Sequence, residues 1–226
     1  MRFRFVVALL GAWAALAPAA RVESQARGAI PLDVALGPGS VLWLEGTSNV
    51  HDFTCRTTEV EVAITRDSTA PPPSGAPGLY DLIRASGVKG VAVRVPVKSL
   101  RSEKEGLDKN LRKTMRADEF PDVRFALGQY ALTSGPASAD SIAIRSEGSL
   151  TICGTDRPVT LEARARRDGA GVWLTGSYTL KMSEYGVKPP TMMMGTMRVH
   201  DPITVHYRLF LIAKGEAVGS PSHPEK

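Results

Sequence analysis

The sequence predicts an all-β fold built from antiparallel strands, on three observations. Period-two alternation of apolar and polar residues recurs in about eight segments, turn residues separate them, and a single segment carries a helical period. Parallel strands, buried on both faces, would read as continuous apolar runs, whereas here one face of each strand is dry and the other wet. A closed barrel and a sandwich both satisfy this pattern. The chain of 226 residues, 43% hydrophobic, 23% charged and 6% aromatic, suits one globular domain with appendages and excludes a coiled coil or wholesale disorder.

In chain order, residues 1–20 have the form of a secretory signal peptide: Arg2 and Arg4, an apolar run from Phe5 to Ala17, and small residues at the Ala17-Pro18-Ala19 exit. A second exit at Ser24-Gln25-Ala26 places cleavage as late as 26. The run is too short to span a bilayer, which takes about twenty residues, so the expected product is soluble and periplasmic. Residues 21–39 are read as a linker, 40–213 as the domain and 214–226 as a flexible tail. Within the domain, Val60, Val62 and Ile64 alternate with Glu59, Glu61 and Thr65; Val91, Val93, Val95 and Val97 alternate with Ala92, Arg94 and Pro96. The same period sets Val123, Phe125 and Leu127 against Asp122, Arg124 and Gly128, and Val159, Leu161, Ala163 and Ala165 against Thr160, Glu162, Arg164 and Arg166. Leu174, Tyr178, Leu180 and Met182 share a face, as do Ile203, Val205, Tyr207, Leu209 and Leu211. Small inward residues such as Ala163, Ala165 and Gly176 fit either tight packing or an interior left open for a ligand.

The one helical segment runs from Glu103 to Ala117, where Leu107, Leu111 and Met115 fall four residues apart behind a Ser102-Glu103-Lys104-Glu105 capping box, and Phe120-Pro121 closes the region. Its cations Lys109, Arg112, Lys113 and Arg116 are read first as a solvated face. Ser68 to Gly78, with its Pro71-Pro72-Pro73 run, is read as a polar loop. Asp168-Gly169 and Ser134-Gly135 mark turns.

Chemistry is sought and not found. The four His stand at 51, 200, 206 and 223 without metal-ligand spacing, and His51-Asp52 are adjacent on a strand and point to opposite faces. No nucleophile elbow, phosphate loop or dinucleotide fingerprint appears, so no enzyme and no cofactor are expected. Loss of Arg2 and Arg4 with the leader takes two units off the formal charge of +5, and the scarce aromatics leave no nucleic-acid patch. Met192-Met193-Met194-Gly195-Thr196-Met197, with Met182 and His200, has soft ligands for Cu(I), but adjacent strand residues cannot converge on one ion, and the cluster is read as pocket or core packing. Two cysteines in an oxidising compartment are expected to form one disulfide, Cys55 to Cys153, closing a loop of about 100 residues with roughly 4–5 kcal/mol on the chain-entropy model.

The order and wording of these segments resemble the YceI family of bacterial, usually periplasmic, proteins. The resemblance rests on Val41-Leu42-Trp43-Leu44-Glu45-Gly46 followed by Val50-His51-Asp52-Phe53, on Leu107-Asp108-Lys109-Asn110-Leu111 through Glu119-Phe120-Pro121-Asp122-Val123-Arg124-Phe125, on Gly148-Ser149-Leu150-Thr151-Ile152-Cys153-Gly154 with Arg157-Pro158-Val159-Thr160-Leu161, and on Met182-Ser183-Glu184-Tyr185-Gly186-Val187. It covers about Ser40 to Ala213. An Asp after the opening Trp is off its family spacing, and the Pro-rich loop and the Cys pair are departures too. The resemblance implies an eight-stranded antiparallel, lipocalin-like barrel holding a polyisoprenoid or an isoprenoid-tailed lipid such as a quinone. On that implication the pocket candidates are Val93, Val95, Leu107, Leu111, Met115, Phe125, Leu127, Ile152, Leu161, Leu174, Tyr178 and Met182, with Arg112 and Lys113 for a head group. The competing expectation is a structural or interaction module of the cell envelope, a filled barrel whose basic helix makes transient contact with an acidic partner or membrane surface. The interior decides between them.

Overall fold

A computed structural model describes residues 28–70, 76–133, 141–169, 171–192 and 196–214. The leader, the Pro71-Pro72-Pro73 run, Ser134-Gly135, Met193, Met194, Gly195 and the tail from 215 lie outside the described residues. Among the described residues twelve strands form one sheet: β1 (Ala29–Leu32), β2 (Val34–Leu36), β3 (Val41–Ser48), β4 (Phe53–Thr57), β5 (Glu61–Asp67), β6 (Val88–Pro96), β7 (Asp122–Thr133), β8 (Ser141–Ile152), β9 (Thr155–Asp168), β10 (Gly171–Lys181), β11 (Thr191–Met192) and β12 (Met197–Ala213). All pairings are antiparallel, in the order β1-β5-β6-β7-β8-β9-β10-β12-β3-β4. The fold is thus all-β and strongly curled, as expected, but the strand count is higher than eight.

Part of the excess comes from the stretch read as a linker. β1 pairs with β5 from Ala29 opposite Asp67 to Leu32 opposite Ile64, and β2 pairs with β12 from Leu36 opposite Leu211 to Val34 opposite Ala213. Residues 29–36 therefore stitch one margin of the curl to the other, a role two strands of three and four residues are too short to announce by alternation. Lys214 fastens the seam: its amide donates to the Asp33 carbonyl at 2.9 Å and its ammonium sits 3.1 Å from the Asp33 carboxylate. The far margin is tied as well. Arg56 of β4 and Arg101 exchange backbone hydrogen bonds of 2.7 and 2.9 Å, and the Thr57 and Ser99 hydroxyls meet at 2.8 Å.

Tight hairpins set the long strands. β8 and β9 are joined by Cys153 and Gly154 alone, both at positive φ, +49° and +74°, the geometry that matches the twist of a two-residue hairpin. On β7 the pairing with β8 slips between Leu127 and Gln129, so one extra residue is accommodated at Gly128. The slip changes parity: Val123, Phe125 and Leu127 face inward before it and Tyr130 after it.

Two helices pack against opposite ends of the curl. α1 (Ala76–Arg84) was not expected; it begins inside the stretch read as a loop. Its Leu79 and Tyr80 are fully buried among Ala165, Val172, Leu211 and Ala213. Arg167 holds it to β9, 2.8 Å from Asp81 and over the Tyr80 ring. α2 (Glu105–Thr114) falls inside the expected helix but stops earlier, where Met115 caps it and Arg116 takes φ +48°. The capping box is not formed. The Ser102 amide and hydroxyl both donate to Asp108 at 2.7 Å, so Ser102 ties down the first turn of the helix through Asp108 and leaves the cap position to Lys104.

A hollow between the two helices

The inward faces of the strands do not meet in the middle. They enclose a cavity of about 320 Å³ that runs from Ile83 and Val88 at the α1 end to Leu107, Met115 and Tyr185 at the α2 end. Its lining spans eight or nine residues of each of three long strands, Val88 to Val95 on β6, Val123 to Tyr130 on β7 and Ile144 to Ile152 on β8. At a rise of roughly 3.3 Å per residue this is a hollow of about 25 Å along the strands. Val93, Phe125, Leu161 and Leu174 all face inward yet remain only part-buried, which is what an unfilled interior looks like.

Of the forty side chains that line the cavity, none is Asp, Glu, Lys, Arg or His. Its polar groups are neutral: Asn110 and Thr114 on α2, Ser146, and the hydroxyls of Tyr130, Tyr178, Tyr185 and Tyr207. Burial pushes the Tyr185 hydroxyl up to about 12, with Tyr178 and Glu184 adding, and burial alone does the same to Tyr207. These phenols stay protonated across any ordinary pH. Tyr207 donates to the Glu162 carbonyl at 3.2 Å and Tyr130 to the Ile83 carbonyl at 3.1 Å, so both brace the wall. Two glycines make room for the rings that cross it. A Cβ on Gly176 would collide with the Tyr207 ring, and one on Gly148 with the Phe125 ring and the Ala126 carbonyl.

The structure brings all twelve pocket candidates to this cavity: Val93 and Val95 from β6, Phe125 and Leu127 from β7, Ile152 from β8, Leu161 from β9, Leu174 and Tyr178 from β10, Met182 just after it, and Leu107, Leu111 and Met115 from α2. Arg112 and Lys113 do not line it. At 100° per residue they turn away from the 107-111-115 stripe, and Asn110 and Thr114 take the flanking positions. Those two polar residues are not cations, and the available signal for them was a three-residue spacing, Asn110 from Leu107 and Thr114 from Leu111.

The cysteines are separate free thiols, so the expected disulfide is corrected. Cys55 is held against Leu44 and Leu100 on the cavity wall, where burial pushes its thiol up to about 11, with the Asp108 charge adding. Cys153 packs with Leu180 and Tyr185, and its thiol donates to the Met115 carbonyl at 3.1 Å. Each is committed to different neighbours by the β4 register and by the β8 hairpin turn.

The family model of the YceI-like domain matches residues 41–210. Among solved structures, the fold is similar to a polyisoprenoid binding domain from Saccharophagus degradans, described as implicated in plant cell wall breakdown, with a TM-score of 0.57 at 12% identity over 81% of this chain and 99% of that one. It is also similar to BcnA from Burkholderia cenocepacia, with a TM-score of 0.54 at 18% identity over 77% of this chain and 96% of that one. No curated protein matches the chain.

Proposed function

Given that this chain belongs to the YceI-like family, we propose that it is a non-catalytic binding protein whose hollow sheet sequesters the tail of a long-chain lipid of the polyisoprenoid class, with an uncharged head. The observation that carries this reading is a cavity of about 25 Å along the strands lined by forty side chains without one formal charge. Each methylene moved from water into such a lining contributes about 0.8 kcal/mol, so a long tail is retained without specific polar contacts. An ionised phosphate inside would meet no cation, and burying an unpaired charge is costly. Neutral donors and acceptors at the α2 end, Asn110 and Thr114, suit a carbonyl or hydroxyl head such as that of a quinone. The hollow also weighs against the filled-barrel module, whose core side chains would touch across the axis.

Export to the periplasm belongs to the same proposal, supported by the basic start and apolar run of residues 1–20. There the protein shields the tail from water between transient encounters with a membrane surface. Organic extraction of the purified protein followed by mass spectrometry tests the reading. A stoichiometric neutral isoprenoid or other long-chain lipid is expected; repeated extraction of no lipid, or of a species whose charge must lie inside the cavity, would overturn it.

A further inference from the structure

The outer wall carries a second feature, independent of whatever fills the interior. We propose that a cleft on the outside of β9, β10 and β12 binds a phosphate-bearing organic ligand, with the phosphate between Arg164 and Arg208 and an apolar or ring-bearing body against Trp173.

The cleft is lined by Arg164, Arg166, Asp168, Trp173, Thr175 and Arg208, with a volume of about 420 Å³. Strand register builds it. Thr175 lies opposite Arg164 on one side and opposite Arg208 on the other, so these three form one cross-strand row. Trp173 lies opposite Arg166 and Phe210 in the next outward-facing row. With neighbouring strands about 4.8 Å apart, the two arginines of the first row rise from backbones about 10 Å apart and flank the Thr175 hydroxyl. Three guanidiniums against one carboxylate make the cleft net cationic, and that carboxylate is engaged: Asp168 accepts from the Trp173 indole at 2.8 Å and sits 3.7 Å from Arg166. Asp168 is thereby committed to the Trp173 row, while Arg164 and Arg208 stand on the Thr175 row.

Trp173 is held rigidly. It stacks on Phe210 with centroids 4.8 Å apart, its indole N–H is bonded, and the Arg208 guanidinium lies 5.5 Å from its ring centroid. A fixed indole on an outward strand face, with planar forks beside it, combines a surface for a flat apolar group with donors whose geometry matches phosphate oxygens. The Thr175 hydroxyl, which donates to the Arg164 carbonyl at 3.4 Å, marks the floor between the forks. Solvated arginines alone would require neither the stacked aromatic pair nor its bonded orientation.

Calorimetry at low salt with phenyl phosphate, inorganic phosphate and phenol tests the proposal, alongside sedimentation with phosphatidylcholine vesicles with and without phosphatidylglycerol. Phenyl phosphate is expected to bind severalfold tighter than inorganic phosphate, and phenol not to bind. Arg164→Ala with Arg208→Ala should weaken phenyl phosphate about tenfold or more, and the paired Lys variants should recover only part of it, because charge returns without the fork. Lys109→Ala, on α2, should leave binding unchanged. If phosphatidylglycerol vesicles also sediment the protein and the double Ala variant abolishes it, the phosphate comes from a lipid head group; if they do not, it comes from a free ligand. No binding of phenyl phosphate, or equal binding by a folded double Ala variant, would overturn the site.

Discussion

Ionising the Cys55 thiol means creating a charge in an apolar wall beside Asp108, and burial first, then that carboxylate, lifts it to about 11. The thiolate is the reactive form, so Cys55 should alkylate very slowly at pH 8 in the folded protein and rapidly once unfolded. Because Cys55 lines the cavity and Cys153 does not, stripping bound lipid should accelerate labelling of Cys55 while leaving Cys153 unchanged, as read by peptide mass spectrometry. Equal acceleration of both would mean that lipid loss loosens the whole fold. Gly176 gives a second residue-scale expectation. A methyl group there meets not only the Tyr207 ring but also the Glu162 carbonyl, and backbone cannot step aside as the end of a flexible side chain can. Gly176→Ala should therefore cost about 1–3 kcal/mol in denaturant unfolding, whereas Gly106→Ala, on α2 with nothing within 4 Å, should be neutral or slightly stabilising.

At the scale of elements, α2 lies over the hollow by its 107-111-115 stripe, and Asp108 is its one buried residue. Burial pushes the Asp108 carboxyl up, but the Ser102 hydroxyl and amide, with Arg101 and Arg112 nearby, hold it below its ordinary value of 3.8. A carboxyl that is more acidic folded than unfolded contributes stability above the unfolded pKa and loses it as pH falls through the folded one. The anchoring of α2 should thus be complete at neutral pH and weaken below about pH 4. Release of a bound fluorescent fatty tail should accelerate over that acid range, and Asp108→Ala should release it faster at neutral pH with a flatter acid dependence. An unaltered off-rate in the variant would show that α2 does not gate the hollow. This helix was legible because its stripe of three apolar residues breaks a chain of period-two segments. Its anchor was not: Ser102 followed by Glu105 spells a cap, and only the fold shows the Ser102 hydroxyl turning to Asp108. α1 stayed hidden because a nine-residue helix behind a Pro-rich stretch offers Leu79, Tyr80, Leu82 and Ile83 as one short apolar cluster, too brief to establish a period.

For the whole molecule, the dry faces of the long strands could be read directly, and the inward strand residues follow from parity, with Leu107, Leu111 and Met115 added by the helical stripe. Whether those faces touch depends on curvature, which alternation does not encode, and the disulfide failed for a related reason: compartment chemistry says that two thiols can pair, not that the fold brings them together. Closure was the other blind spot. A curled sheet with open margins exposes unpaired strand edges, and here β1 and β2 join β5 to β12 with residues whose sequence looks like a tether. The seam is short, so one residue can test it. Ala35 pairs with Ile212 in the middle of β2, and Ala35→Pro removes the amide from that ladder. The expected result is a loss of about 1–3 kcal/mol, faster amide exchange confined to Leu211–Ala213 and the facing end of β5, and weaker retention of a long tail, with the β7–β8–β9 amides as protected as before. Protection lost everywhere would mean that the seam nucleates the fold. Unchanged exchange and retention would mean that the α1 end stays shut without it, the buried Leu79 and Tyr80 sufficing as the plug.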